Sequence, residues 1–169
     1  MAAAPSAESV KCELLAETLR LHGRARLRVQ GSSMLPSLRP GDVLRVERRR
    51  PAEVAAGTII LYSREQRLFA HRVLRKEDSG GDYTLLVRGD RLPRPDPPVL
   101  PDELLGEVTW VERGGAGFVP ARRAGWAAIL LRLASRFSEL PAGLLLRFGS
   151  PNGRRARPAD AVPETDACR

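Results

Sequence analysis

The sequence predicts a mainly β fold: a coiled antiparallel β domain with a helix ahead of it and a helical segment behind it. Three observations carry that expectation. Short runs alternate apolar with polar residues at period two, turn-forming clusters such as Pro40-Gly41-Asp42, Gly80-Gly81-Asp82 and Gly89-Asp90 separate them, and helical periodicity is confined to the two flanks. With 169 residues the chain is long enough for one compact domain with an apolar core, plus an appendage or tail.

The first element is a helix over 9–22. Cys12, Leu15, Ala16 and Leu19 fall on one face, Ser9 stands where a cap would start the helix, and Gly23 where one would end it. Val10, Leu14 and Leu21 form a second apolar stripe, so the helix is only loosely amphipathic. His22 lies in its last turn, where a cation complements the helix dipole, and a capping role is the reading it takes. Strands are predicted over 26–30, 43–47, 58–62, 68–74, 83–87 and 105–111.

Residues 92–102 carry five prolines, which fix φ and remove amide donors, and an irregular loop is expected there. Across 126–148 apolar residues surround Arg132, Arg136 and Arg147, with Pro141 as an interruption. That pattern suits a helix pair, either docked on the domain or lying in a membrane interface, and not a span. After Ser150 the composition predicts a disordered tail, 151–169.

The formal charge is +8 and the sequence pI is near 10.8, yet Lys11 and Lys76 are the only lysines. The arginines are scattered apart from runs such as Arg48-Arg49-Arg50 and Arg154-Arg155, and no aromatics interleave with them to stack bases. No nucleic-acid partner is expected; a solvated basic face explains the pattern. Cys12 and Cys168 lie near opposite ends without metal-ligand spacing, so a reduced, structurally minor pair is expected. The first eight residues have no basic start and no apolar run, and no stretch approaches the ~20 apolar residues of a spanning helix. Neither an export signal nor a transmembrane helix is therefore expected, which points to a cytoplasmic or peripherally membrane-bound protein.

The most informative passage is Gly31-Ser32-Ser33-Met34-Leu35-Pro36-Ser37-Leu38-Arg39-Pro40-Gly41-Asp42. A serine hydroxyl becomes a nucleophile when it is held on a constrained turn, with a base in reach and backbone N–H groups able to receive an oxyanion. Gly31 permits close backbone approach, Met34 can anchor the turn in apolar surroundings, and Pro36 stiffens the residues after it. By itself a Gly-Ser-Ser turn is more often only a turn.

The run Ser33-Met34-Leu35-Pro36-Ser37-Leu38, followed by Gly41-Asp42, resembles the Ser-Met-x-Pro-Thr-Leu…Gly-Asp box of signal peptidase I and of its relatives, the LexA-like self-cleaving proteins. Gly57-Thr58-Ile59-Ile60-Leu61-Tyr62 is similar to the Gly-Asp-Ile-Val-Val-Phe strand of that family, with Thr58 where aspartate is common. Phe69-Ala70-His71-Arg72-Val73-Leu74 resembles the His-Arg-Val segment of the endoplasmic-reticulum and archaeal enzymes. Leu86-Val87-Arg88-Gly89-Asp90 and then Asp96 are similar to the Gly-Asp-Asn block and the aspartate beyond it, with Arg91 in place of the asparagine.

The resemblance implies the signal peptidase/LexA-like type of coiled β fold, with Ser33 as nucleophile and His71 as general base. An imidazole titrates near neutrality and suits that role without the strong desolvation a lysine base requires. Lys76 is the minor alternative base, five positions on and on the opposite strand face by period-two counting. The orienting carboxylate is Asp96, with Asp90 as the alternative. The family's serine two before the nucleophile is Gly31 here, so the Ser33 N–H is the expected oxyanion donor, with Ser32 beside it as support.

The domain organisation implied is an N-terminal helix over 1–25, a peptidase domain over 26–113, a helical appendage over 114–150 and the tail over 151–169. The activity implied is a serine endopeptidase of signal peptidase I type, processing leader or precursor peptides by Ser-His(-Asp) acyl transfer, without metal or organic cofactor. A LexA-like self-cleaving regulator and an inactive binding scaffold are the alternatives. The first requires a DNA-binding module and an internal cleavage dipeptide such as Ala-Gly, and neither fits the thirty-odd residues ahead of Ser33.

Overall fold

A computed structural model describes residues 7–80, 82–125, 129–130 and 133. Of the predicted helical stretch 126–148 it describes Ile129, Leu130 and Leu133, which are helical and exposed. The rest of that stretch, the tail 151–169 and Cys168 lie outside the described residues.

The first element, α1, spans Ala7–His22 and begins two residues earlier than expected. Ser9 is therefore a buried residue of the first turn and not its cap. Gly23, at φ 69°, ends the helix by donating its N–H to the Leu19 carbonyl at 3.0 Å, a left-handed closure that glycine adopts without a Cβ penalty. Cys12 and Leu19 are buried, whereas Val10, Leu14 and Leu21 face outward. The loose amphipathicity of the sequence is thus a real division of faces.

Among the described residues the body is one antiparallel sheet of seven strands. These are β1 (Arg24–Arg28), β2 (Val43–Glu47), β3 (Ile59–Arg64), β4 (Arg67–Ser79), β5 (Asp82–Arg88), β6 (Leu104–Arg113) and β7 (Ala116–Phe118). The order is β1-β2-β6-β3-β4-β5, with β7 on β6. Six strands stand close to where the alternation put them. The first starts at Arg24 and stops at Arg28, β4 runs on to Ser79, and β7 had no apolar alternation to announce it.

Strand β6 holds the coil together. It pairs with β2 over residues 107–112, and along its other edge with β3 over 104–107 and β7 over 111–113. Register shifts at Arg45/Val46, Leu61/Tyr62 and Val73/Arg75 add an extra residue each time, and such bulges bend and twist the sheet.

The period of two along β3 sorts side chains into two cores. Ile59 and Leu61 join Leu19, Met34, Leu38, Leu44, Val46, Val108 and Val111 on one face. Ile60 and Tyr62 join Val54, Val73, Leu85, Val87 and Val99 on the other. A strand buried on both faces reads as a continuous apolar run, as Ile59-Ile60-Leu61-Tyr62 does. Each such fully buried aliphatic side chain contributes about 1.5–3 kcal/mol of transfer free energy.

The β3–β4 hairpin turns through Glu65 and Gln66, at φ 51° and 60°. Two positive φ values make the tight primed turn that matches strand twist, a conformation normally supplied by Asn-Gly. Without those residues the sequence carried no turn signal here.

Candidate functional site

The candidate nucleophile sits on the excursion between β1 and β2. Its ends are closed by Val29 N–H on the Asp42 carbonyl at 2.8 Å and Gly41 N–H on the Val29 carbonyl at 2.9 Å. Inside it Met34 and Leu38 are buried in the first core, and the Leu38 N–H meets the Met34 carbonyl at 3.0 Å. The two apolar side chains hold the turn down while Gly31 and Ser32 stay exposed and Ser33 is half-buried.

Two arginines tie the excursion to the sheet. Arg113 of β6 donates to Asp42 at 2.8 and 2.6 Å and to the Ser37 carbonyl at 3.0 Å. Arg72 of β4 forms a fork with Asp90, 2.8 and 2.7 Å, and the same carboxylate accepts from the Ser37 hydroxyl at 2.5 Å. The segment after β5 passes so close that a Cβ on Gly89 would stand 2.7 Å from the Ser33 carbonyl oxygen, which accepts from the Arg91 N–H at 2.9 Å. Gly89 is required here for approach, at a contact distance no side chain tolerates.

On the adjacent position of β4, and so on the opposite face, stands His71. Its register partner is Ile60, which places the ring in the second core beside Tyr62 and Phe69, with ring centroids 6.0 and 6.1 Å away. His71 Nε2 lies 2.9 Å from Ser33 Oγ, and Nδ1 contacts Asp96 Oδ2. A carboxylate only accepts, so Nδ1 carries the proton and Nε2 presents its lone pair to the Ser33 hydroxyl. The Tyr62 hydroxyl donates to the same Asp96 oxygen at 3.2 Å. Burial first, and then the Asp96 charge and hydrogen bond, push the Tyr62 phenol up, so it stays a donor across the neutral range.

Ser33, His71 and Asp96 therefore come together from the β1–β2 excursion, β4 and the proline-rich loop. Asp90 does not touch the ring; it belongs to Arg72 and Ser37. Lys76 is corrected in one respect. The bulge at Leu74 reverses the alternation, so that Lys76 pairs with Leu85 and shares the face of His71, contrary to the period-two count. Its ammonium is nevertheless spent elsewhere, on the Ala52 carbonyl at 2.6 Å and over the Tyr83 ring. Among the turn and loop hydrogen bonds of the described residues none uses the Ser33 N–H as donor, which leaves it available to an incoming oxyanion. Ser32 Oγ lies 3.4 Å from an Arg91 guanidinium nitrogen.

Sequence reasoning missed Tyr62, Arg64, Arg113 and Glu103. Arg64 and Glu103 form a bidentate pair, both contacts at 2.6 Å, and the hydrogen bond from Arg64 holds Glu103 below the usual carboxylate range. Charged residues are common in this chain, so composition could not single these out. No cluster of three His, Cys, Asp or Glu side chains able to hold a metal ion occurs among the described residues. Nor is any helix among them long and apolar enough to cross a membrane.

No curated protein matches the chain. The family model described as Peptidase S24-like matches residues 5–89, a span that includes α1, Ser33 and His71 and stops short of Asp96. That match covers half of the sequence, and with it the chain belongs to the Peptidase S24-like family.

Proposed function

We propose that the protein is a serine endopeptidase of the signal peptidase I type, in which Ser33, His71 and Asp96 cleave leader or precursor peptides by acyl transfer. The observation that carries the reading is the 2.9 Å separation of Ser33 Oγ and His71 Nε2, with Nδ1 engaged by a carboxylate. As Oγ attacks the scissile carbonyl carbon, its proton passes to Nε2 and the carbonyl electron pair moves onto oxygen, toward the Ser33 N–H. Collapse expels the amine, which takes the proton from Nε2. Water then repeats the cycle on the acyl-enzyme and releases the acid. An extended substrate segment pairing as an added strand fits a site built from strand ends and loops. Peripheral membrane attachment through 126–148 belongs to the same reading, supported by the exposed Ile129, Leu130 and Leu133.

The test uses purified protein, an Ala-x-Ala precursor peptide and a fluorophosphonate probe. The wild type is expected to cleave the peptide and to be acylated at Ser33, whereas Ser33→Ala and His71→Ala each lower cleavage by on the order of 10³-fold or more. Wild-type rates in either variant overturn the mechanism. Stoichiometric self-cleavage in a mass spectrum replaces it with the LexA-like regulator, and an unreactive Ser33 with a binding scaffold.

A further inference from the structure

We propose that Arg64, locked by Glu103, is a positioning residue that straps the proline-rich loop to the sheet and so sets the Asp96 carboxylate on the His71 ring. The inference rests on the peptidase reading for its consequence, but its geometry stands apart from it.

Asp96 is delivered by a loop that has few means of holding itself in place. Its neighbours Pro95, Pro97 and Pro98 have no N–H, so across 95–98 the backbone can donate only from Asp96 itself, to the Val87 carbonyl at 2.9 Å. The next anchor is Val99, buried in the second core and paired with Leu85 by two hydrogen bonds of 3.0 and 2.8 Å. Between these points the Pro97 and Pro98 carbonyls need external donors. Arg64 supplies both, Nη1 to Pro97 at 3.2 Å and Nη2 to Pro98 at 2.9 Å.

The guanidinium is itself fixed. Its Nε and Nη2 fork onto Glu103 at 2.6 Å each, and its plane lies over the Tyr62 ring with 5.5 Å to the centroid. Glu103 also accepts the Leu100 N–H at 2.9 Å, closing the far end of the loop. Side-chain exposure of 23 % for Arg64 and 17 % for Glu103 means the pair is largely shielded from screening. One planar group therefore joins the strand, the loop carrying the carboxylate, and the tyrosine that donates to that carboxylate. A lysine cannot replace it, because an ammonium lacks the planar fork that binds a carboxylate and two carbonyls in one geometry.

The experiment compares wild type, Arg64→Ala, Arg64→Lys and Asp96→Asn, with the exposed Arg49→Ala as control, each below its own melting transition. The first readout is the exchange-protected His71 Nδ1–H proton resonance, which reports the bond to Asp96 without any need for activity. It is expected in wild type and Arg49→Ala, lost in Asp96→Asn, and broadened or lost in both Arg64 variants. The second is the rate of Ser33 acylation by the fluorophosphonate. Arg64→Ala is expected to slow it roughly tenfold to a hundredfold, as small misplacements of catalytic groups do. In the Arg64→Ala/Asp96→Asn double variant the loss should equal that of Asp96→Asn alone, because Arg64 acts through Asp96. A wild-type resonance in folded Arg64→Ala, or losses that multiply in the double variant, overturns the proposal. If wild-type Ser33 does not react at all, the peptidase reading falls while the resonance still decides the strap.

Discussion

His71 and Arg72 are neighbours on β4, each faces a carboxylate, and the two pairs have opposite characters. Arg72 has its five N–H donors all engaged: Nε and Nη2 on Asp90, Nη2 also on Ser37 Oγ, and Nη1 on the Gly57 and Ala121 carbonyls. Nothing is left over for a substrate, and the pair is buried on both sides. His71 spends one nitrogen on Asp96 and turns the other toward a hydroxyl that is half-exposed. A saturated group holds structure; a group with one valence directed at a reactive atom can do chemistry. Alternation on a strand separates the two by a single residue.

The sharpest way to break this comparison is to neutralise each carboxylate in turn. Asp96→Asn is expected to slow Ser33 acylation by on the order of 10³-fold, because the amide loses the charge and its NH2 group can donate to Nδ1 and hold the wrong imidazole tautomer, while stability changes by about 1 kcal/mol or less. Asp90→Asn is expected to do the reverse: it leaves a buried guanidinium without its counter-charge and lowers unfolding free energy by about 3 kcal/mol or more. Denaturant melts and probe kinetics on both variants check this, and equal effects in both assays would erase the distinction.

The Arg64–Glu103 pair sharpens the contrast, being an ion pair that supports the His71 side. Glu103 is held down by its hydrogen bond from Arg64 more than partial burial raises it, so its folded value lies below its unfolded one. A depressed carboxylate contributes stability that is complete above the unfolded value, about 4.3, and disappears as pH falls through the folded one. The stability gap between wild type and Glu103→Gln is therefore expected to be constant at neutral pH and to shrink below about pH 4.3, as measured by urea melts across that range. A gap that widens on acidification contradicts the assignment.

The smallest expected effect lies in the turn that joins β3 to β4. Gln66→Gly should raise stability by about 1 kcal/mol, because a left-handed φ of 60° disfavours any residue with a Cβ, and should leave acylation unchanged. A higher melting temperature with an unaltered rate would separate the hairpin's stability from the site it carries.

Most of the sheet was legible because half-buried strands write their alternation into sequence, as Val43-Leu44-Arg45-Val46-Glu47 does with no error at either end. The misses have physical causes. The turn at Glu65-Gln66 lacks its customary residues and is imposed by the pairing of the strands around it. Lys76 changed faces because a bulge adds one residue to a ladder, an event with no local signature. Strand β7 is a three-residue return of β6 through the Gly114-Gly115 turn, too short to show an alternation, and its Gly117 lacks the Cβ that would collide with the Trp110 indole.

The sequence alone determined the mainly β architecture and the flanking helix through its periodicity, and its motifs, by their resemblance to a known family, nominated Ser33 and His71 with either Asp96 or Asp90 as the orienting carboxylate. The tertiary structure decided that Asp96 and not Asp90 reaches the ring, that Tyr62 donates to that carboxylate, and that Arg64 and Glu103 hold the loop bearing it. These facts depend on which side chains from distant segments share a few ångströms. Spacing along a chain cannot encode that until the strands have chosen their register.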